Sequence, residues 1–471
     1  MPAVPHQSEF KAEFKTGNIY SFLADCQRQT LDQPQVVSLI FPLPAIAPWA
    51  VLQALGQRHQ RHFYYDDVLR QQSVVAIDVA VEQIAQGPDR FVQAQRFIDF
   101  WLSHSIPSQP SFLSKQPRFF CSATFFESPT ANSQFEPIHI FLPRLQVVTE
   151  ADKSTAVFNY FLDETTVLEQ IAADIDRTLD ELLKLEKTRL PADRSSSASA
   201  NYRIVKDIDT FQTTVQAILT LIQQQLLHKA VIADVLEVVA ATPFNLPTSL
   251  QTLRQKHPDC CIFSVGNGQG QAFVGASPER LLSIADGRLR TDALAGSAAR
   301  SDDPGEDALL AQRLLQSKKE RYEHRLVVEF ITRQLRSLGL IPKFNAAPSL
   351  LQLSQIQHLH TPIYAYLPST TQPLQILDKL HPTPAVAGVP REVAYQLIRQ
   401  YETCDRELYA APLGWIDAQG NSEFIVGIRS ALVDGCWARL YAGAGIVAGS
   451  EPGRELSEIR LKLQTLLAAL V

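Results

Sequence analysis

Methionine is all but missing. Met1 is the only one in 471 residues, and this absence has no functional reading. Other absences exclude more. No stretch of about 18 apolar residues occurs, so no helix is expected to cross a membrane. The opening MPAVPHQSEFKAEF has no basic segment leading into an apolar one, so no secretory signal is expected. The six cysteines, Cys26, Cys121, Cys260, Cys261, Cys404 and Cys436, include no C-x-x-C pair and no zinc-site spacing. In a chain this long they read as reduced, mostly core thiols of a cytoplasmic protein. Positive charge is not in excess. The 43 Lys+Arg face 49 Asp+Glu for a net −6, which argues against nucleic acid as a partner. A small anionic substrate is still allowed, since a pocket needs only a few well-placed cations. No internal repeat at a fixed period is visible.

What is present is ordinary for a soluble globular chain, with 45% hydrophobic and 20% charged residues. The length allows a sizeable core without staples, in two or three domains or one large one. Residues 190–201, LPADRSSSASAN, have one proline, four serines and no apolar period, and read as a loop dividing 1–200 from 201–471. Before the loop, strands are expected at 36–41, 138–142 and 156–162 and helices at 93–102 and 166–187, with no chemistry-bearing motif. After it, Asp209 or Thr210 could cap a helix over 211–227, with Val215, Ile218, Ile222 and Leu226 on one stripe. An apolar strand opens at Lys229, and CIFSV, GNGQG and QAFVGAS (261–277) read as strand, turn and strand. One long helix is expected over 306–338, stopping at Gly339. Short strands follow at 363–367, 413–416, 424–430 and 437–441, and a last helix over 452–470. Hairpins with a few long helices predict an α+β fold with antiparallel sheets.

Two glycine clusters were weighed as phosphate cradles. Gly266-Asn-Gly-Gln-Gly270 lies between strands and reads as a hairpin turn. Gly443-Ala-Gly445-Ile-Val-Ala-Gly449 precedes a helix, but the chain ends too soon for a returning parallel strand. More chemistry is carried by two helices with glutamates at i, i+3. Glu320 and Glu323 share one face, and Glu455 and Glu458 another, so a hard cation could sit between the helices. The bland reading is a solvated face with the i, i+4 ion pairs Lys319–Glu323 and Glu458–Lys462. Lys229 is either a strand-end lysine reaching to water or a buried lysine with a lowered pKa, usable as a base. Glu279, in GASPERL, reads alone as an exposed loop acid. His358, in IQHLHT, reads as a satisfied core histidine. Arg429, in the apolar run FIVGIRSAL, needs a carboxylate partner, from the protein or from a ligand.

These pieces occur in one order in HKAVIA (228–233), VGASPERL (274–281), LAGSAAR (294–300), SKKERYEH (317–324), IQHLHT (356–361), LHPTPAVAGVPR (380–391), YAGAGIVAGS (441–450) and PGRELSEIRLK (452–462). The region from Tyr202 to Leu463 resembles the chorismate-binding core of the chorismate-utilising enzymes. That family includes anthranilate synthase component I, aminodeoxychorismate synthases, isochorismate synthases and salicylate synthases. Residues 1–200 resemble it only loosely. The resemblance implies an anthranilate synthase-like α+β fold of two packed antiparallel sheets with helices outside. The N-terminal region 1–200 would join the same unit as the 201–471 core.

Within the family the chain is most similar to isochorismate synthases, which imply magnesium (Mg²⁺) as cofactor and chorismate as substrate. No nucleic acid, membrane or glutaminase subunit is implied, and a monomer is compatible. The expected product use is quinone biosynthesis, menaquinone or phylloquinone. By position, Lys229 matches the water-activating base and Glu279 the general acid. Glu323 and Glu458 match metal ligands, with Glu320 and Glu455 one helical turn away. Arg429 and Lys462 match carboxylate-binding cations, and Gly443 would add a backbone N–H. His358 matches a pocket histidine, while Ala385 and Val386 match the apolar lining of the water side. Ala295 stands where aminodeoxychorismate synthases carry a lysine nucleophile. Salicylate synthase, similar at the base, acid and metal positions, is the main alternative. Anthranilate synthase and a non-enzyme scaffold are more distant ones.

Overall fold

Antiparallel strand pairing frames the molecule, and one long strand, Ile138–Glu150, sits where the frame divides. A computed structural model describes residues 16–29, 34–56, 61–107, 117–185, 201–354, 356–368 and 370–471. The expected loop at 190–201, apart from Asn201, lies outside the described residues, as does the N-terminal stretch 1–15.

Ile138–Glu150 pairs along one edge with Gln72–Ala85. Its other edge is split: residues 138–141 pair with Arg118–Ala123, and residues 145–150 with Lys153–Leu162. One sheet continues from Gln72–Ala85 through Arg61–Asp67, Cys261–Asn267, Gln271–Ser277, Ser430–Asp434 and Trp437–Val447 to Lys229–Ala240. The other continues from Arg118–Ala123 through Pro412–Asp417, Ser422–Val426, Arg280–Ala285 and Arg288–Ala299 to Ile356–Tyr366. The strands Cys261–Asn267 and Gln271–Ser277 are buried almost throughout, because both faces are covered. That is why they read as continuous apolar runs rather than as alternating patterns. Phe211–Gln223 and Pro452–Leu470 pack on the first sheet, and Lys318–Ser337 packs on the second. The fold is α+β, as expected.

The chain passes between the sheets at two neighbouring places that matter for the site. Residues 278–279 lead from Gln271–Ser277 into Arg280–Ala285, and residues 427–429 lead from Ser422–Val426 into Ser430–Asp434. The two crossovers are tied together. Val426 N–H donates to Glu279 O at 3.1 Å, Ser277 Oγ–H to Val426 O at 2.6 Å, and Ala276 N–H to Arg429 O at 3.1 Å.

The strands expected at 138–142 and 363–367 are longer, Ile138–Glu150 and Ile356–Tyr366, and four further elements differ in kind or extent. The helix over 306–338 is two helices, Pro304–Gln316 and Lys318–Ser337. They break at Ser317, whose extended backbone lets its hydroxyl cap the second by accepting from Glu320 N–H. The helix from Phe211 ends at Gln223, so Leu226 is 56% exposed instead of completing the buried stripe. The run 424–432 is not one strand: it is interrupted at 427–429, with Arg429 at φ 50°. The strand from Trp437 continues to Val447, so Gly443 and Gly445 lie inside a strand and not in a turn before a helix.

The close approach of the crossovers requires Gly275, where a Cβ would lie 2.6 Å from Arg429 O and 2.8 Å from the Phe263 ring. Gly275→Ala is therefore expected to destabilise the fold by about 1–3 kcal/mol, the scale of core overpacking. A lowered urea midpoint with an unchanged m-value checks this, and an unchanged midpoint refutes it.

Candidate functional site

A cavity of about 110 Å³ lies where the crossovers meet the strands Lys229–Ala240 and Trp437–Val447 and the first turns of two helices. It is bordered by Glu279 and Arg429 from the crossovers and by Glu320, Glu323, Glu455, Glu458 and Lys462 from the helices. His358, Ala385, Val386 and Gly443 complete the predicted set. Ala295 also borders it, an apolar wall with no nucleophile. Of the predicted residues only Lys229 does not border the cavity; it lies directly behind Glu323.

Lys229 is fully buried, so the strand-end reading fails. Its Nζ is 2.7 Å from Glu323 Oε1 and has no other hydrogen-bond partner among the described residues. The pair fits only because residue 445 is glycine. A Cβ there would overlap Glu323 Oε1 and lie 3.1 Å from Lys229 Cε. Glu323 is thus held by a lysine at one of its two carboxylate oxygens.

Glu279 is 5% exposed, so it is not a loop acid in solvent. Burial pushes its carboxyl up to about 8; Lys229 pulls it down and the Asp292 charge pushes it further up. It is therefore protonated at neutral pH and able to donate. Its neighbour Arg280 turns away, to Asp67, Asp292 and Glu423.

Arg429 forms no ion pair with a carboxylate among the described residues. Its Nη2–H donates to His358 Nε2 at 3.2 Å, and its Nη1 lies 3.8 Å from Cys260 Sγ. Arginine can only donate, so His358 accepts at Nε2 and carries its proton at Nδ1, 3.0 Å from Ser297 Oγ. Burial, with the Arg429 and Lys462 charges, keeps His358 neutral. His358 is satisfied, yet it also aims a guanidinium into the cavity. A guanidinium in that position could bind a carboxylate entering the cavity. Lys462 donates to Glu458 Oε1 at 2.7 Å and to Gly443 O at 3.0 Å. Gly443, paired with Ala233 inside the sheet, contributes its carbonyl to this lysine and lies in a strand instead of a turn.

The two glutamate pairs do come together at one cavity, from the first two turns of Lys318–Ser337 and Pro452–Leu470. Among the described residues no three His, Cys, Asp or Glu side chains converge into a finished metal cage. A magnesium ion needs only one or two carboxylates and keeps waters for substrate oxygens, so Glu323 and Glu458 suit it. The expected Lys319–Glu323 ion pair is replaced. Lys319 reaches Glu455 Oε1 at 2.9 Å and Glu320 Oε1 at 3.4 Å. The helix break at Ser317 redirects it, since Lys319 now sits in a first turn facing the neighbouring helix.

Sequence reasoning missed Lys319, Tyr409 and Arg406. Tyr409 borders the cavity and stacks on Tyr441 at 5.3 Å. Arg406, 1% exposed, is paired with Glu402 and donates to Val386 O at 2.7 Å and Val231 O at 2.8 Å, binding two cavity walls together. Its charged surroundings, TCDREL, gave none of the apolar context that singled out Arg429.

A family profile described as "Chorismate binding enzyme" matches residues 21–471. The Pseudomonas aeruginosa protein named salicylate biosynthesis isochorismate synthase is 32% identical over 452 residues, covering 94% of this chain and 92% of its own. Isochorismate synthase MenF of Bacillus subtilis is 37% identical over 264 residues, 56% of each chain. The solved structure of MenF, the menaquinone-specific isochorismate synthase from Escherichia coli, superposes with a TM-score of 0.77 at 28% identity, covering 97% of this chain and 100% of that one. The likeness therefore reaches well into the first 200 residues, beyond the blocks after Tyr202. With a profile and a full-length relative agreeing over almost its whole extent, this chain belongs to the chorismate binding enzyme family.

Proposed function

We propose that the chain is an isochorismate synthase that converts chorismate to isochorismate. The observation that carries this reading is Glu279, a buried acid that burial pushes up to about 8, in one cavity with Arg429, Lys462 and two pairs of glutamates. The names of the relatives that match most of the chain support it.

In this reading Arg429, aimed by His358, and Lys462 bind substrate carboxylate. The walls Ala385 and Val386 limit access to the ring. A water oxygen bonds to C2 and the ring double bonds shift. The C4–O bond breaks, and the departing hydroxyl takes the Glu279 proton and leaves as water. Lys229 takes the proton of the attacking water, so atoms balance and the reaction is a reversible isomerisation. Base and acid act at opposite ends of one conjugated system, so they need different pKa values. Lys229 can reach an attacking water only when Glu323, 2.7 Å from its Nζ and between it and the cavity, turns aside. Glu323 and Glu458 would hold Mg²⁺, with Glu320 and Glu455 behind them. When bound, the ion would neutralise the C1 carboxylate and stabilise charge shifting toward it.

We further propose cytoplasmic action without a glutaminase subunit, with 1–200 and 201–471 forming one unit. For the use of the product, a quinone precursor is supported by the menaquinone-specific neighbour. A salicylate-directed use is the second reading, favoured by the name of the Pseudomonas relative.

Purified protein with chorismate and Mg²⁺ is expected to give a reversible mixture with isochorismate, to stop on chelation, and to recover with added Mg²⁺. Chromatography reads the products. Stoichiometric salicylate and pyruvate would reassign the chain to salicylate synthase, and anthranilate formed with ammonia would reassign it to amination.

Glu279→Gln and Lys229→Gln should each lower turnover by roughly 10²-fold or more, the scale of a lost acid–base group. Both Lys229 variants should in addition destabilise the fold by leaving Glu323 without its counter-ion, Lys229→Ala more so because it also leaves a cavity. Normal turnover by folded Lys229→Gln protein would show that this lysine is structural.

Activity should fall as pH rises through about 8, where Glu279 loses its proton. Stability should follow the same group. Its folded pKa lies above the ordinary 4.5, so its contribution is fully present below pH 4.5 and is lost as pH rises to about 8. Urea midpoints across this window should fall more steeply for the native chain than for Glu279→Gln, and parallel curves would refute the assignment.

A further inference from the structure

A second, smaller cavity of about 30 Å³ lies behind the first, where the helices Leu246–Lys256 and Pro452–Leu470 meet the strands Gln271–Ser277 and Ile356–Tyr366. Arg429 and Lys462 border both cavities and form their common wall. The proposed chemistry uses the side of that wall toward the first cavity and gives this one no role. The other walls are mostly apolar, with Leu253, Ala276, Ile356 and Leu466. Leu461, 40% exposed, and the exposed Ser354 mark the mouth.

Two polar groups here are left wanting a partner. His257 lines the cavity and is 5% exposed, yet its Nδ1 has no hydrogen-bond partner among the described residues. A buried nitrogen left unpaired is costly, and nothing in the proposed chemistry needs it. Burial, then the Arg429 charge, keeps His257 neutral against the pull of Asp259. Its Nδ1 can therefore carry the single ring proton and donate it. Arg429 spends Nη2 on His358, while among the described residues Nη1 has only the Cys260 thiol, 3.8 Å away. Lys462 is already committed to Glu458 and Gly443, so Arg429 is the cation this cavity can use.

We propose that this cavity is a second binding site, for a small apolar monocarboxylate. The carboxylate accepts from Arg429 and from His257 Nδ1–H, and the hydrocarbon part lies on Leu253, Ile356 and Leu466 toward the mouth. The space exceeds the roughly 10–15 Å³ that one water needs, enough to enclose the carboxylate end. A second negative charge on the ligand would meet apolar walls, so a dicarboxylate or a phosphate does not suit it. Occupation reaches the first cavity through Arg429. A carboxylate behind the guanidinium offsets the charge that a substrate carboxylate in front would use, so the two ligands oppose each other without touching. This coupling rests on the reading of Arg429 as a substrate-binding cation; the binding itself does not.

Benzoate is the probe, and calorimetry reads its binding with no chorismate present. The native chain is expected to bind one benzoate. Thr465→Phe fills the cavity from the helix Pro452–Leu470, and His257→Phe keeps a ring but removes the donor. Each is expected to weaken binding roughly tenfold or more, the scale of a lost hydrogen bond to a charged group. No binding by the native chain overturns the site. Equal binding by all three proteins also overturns it, since benzoate would then sit elsewhere. Circular dichroism checks folding, and His257→Phe alone decides if Thr465→Phe does not fold. With chorismate added, benzoate is expected to raise the KM of the native chain at unchanged kcat and to leave the KM of Thr465→Phe unmoved. Benzoate bound with no change in the native KM, or an equal rise in both proteins, overturns the coupling through Arg429. A chain that turns over no chorismate overturns the proposed function, while calorimetry still decides the site.

Discussion

The site depends on a buried ion pair that only a glycine permits. Lys229 and Glu323 come from opposite parts of the site, a central strand and a covering helix, and meet under Gly445. A side chain at 445 would separate them. Burying two charges is favourable only when they are paired closely, so this contact fixes how the helix Lys318–Ser337 seats on the sheet. That seating in turn carries Glu320 and Lys319 to the second glutamate pair. The same contact sets a competition: Glu323 cannot neutralise Lys229 and bind a cation with one oxygen at once. Coupling between the proposed base and the proposed metal ligand is thus built into a single 2.7 Å contact.

The second organising feature is the pair of crossovers. Glu279 and Arg429 are brought together because the chain leaves one sheet for the other at two adjacent points, tied by backbone hydrogen bonds. At such points the backbone departs from the pleat, and side chains are freed from the in–out alternation of a strand. Arg429, in the left-handed region at φ 50°, is held there by the Ala276 N–H on its carbonyl and by His358 on its guanidinium. Strain of this kind persists where surrounding contacts over-determine it.

Most strands and the closing helix were legible because burial leaves a period in the sequence: the hairpin 261–277 and the helix from Pro452 are examples. The break at Ser317 was not read. The flanking helices share one period, and the S-x-x-E cap lies inside a charged run that looks helical throughout. Arg429 was singled out as a cation among apolar residues, but within a continuous strand; the interruption at 427–429 comes from tertiary pairing on both sides. The residues that the resemblance named, Lys229 apart, border one cavity. The resemblance did not reveal that Lys229 lies behind Glu323, or that Lys319 occupies the outer pair. Both depend on side-chain direction across elements distant in sequence, which no local spacing encodes. Arg406 shows the same limit, since its acceptors, Val231 and Val386, are carbonyls of other segments.

The strand Ile138–Glu150 has a consequence for the integrity of the molecule. It belongs to both sheets, and the strands that join it to the later half of the chain, Arg61–Asp67 and Arg118–Ala123, cover the flanks of Cys261–Asn267 and Pro412–Asp417. Cutting the chain near residue 200 would strip both flanks together. Two mostly apolar strands would then present unpaired backbone donors and acceptors, the usual template for aggregation. Although none of the residues proposed for chemistry lies before Lys229, the early part of the chain is what keeps the later part soluble.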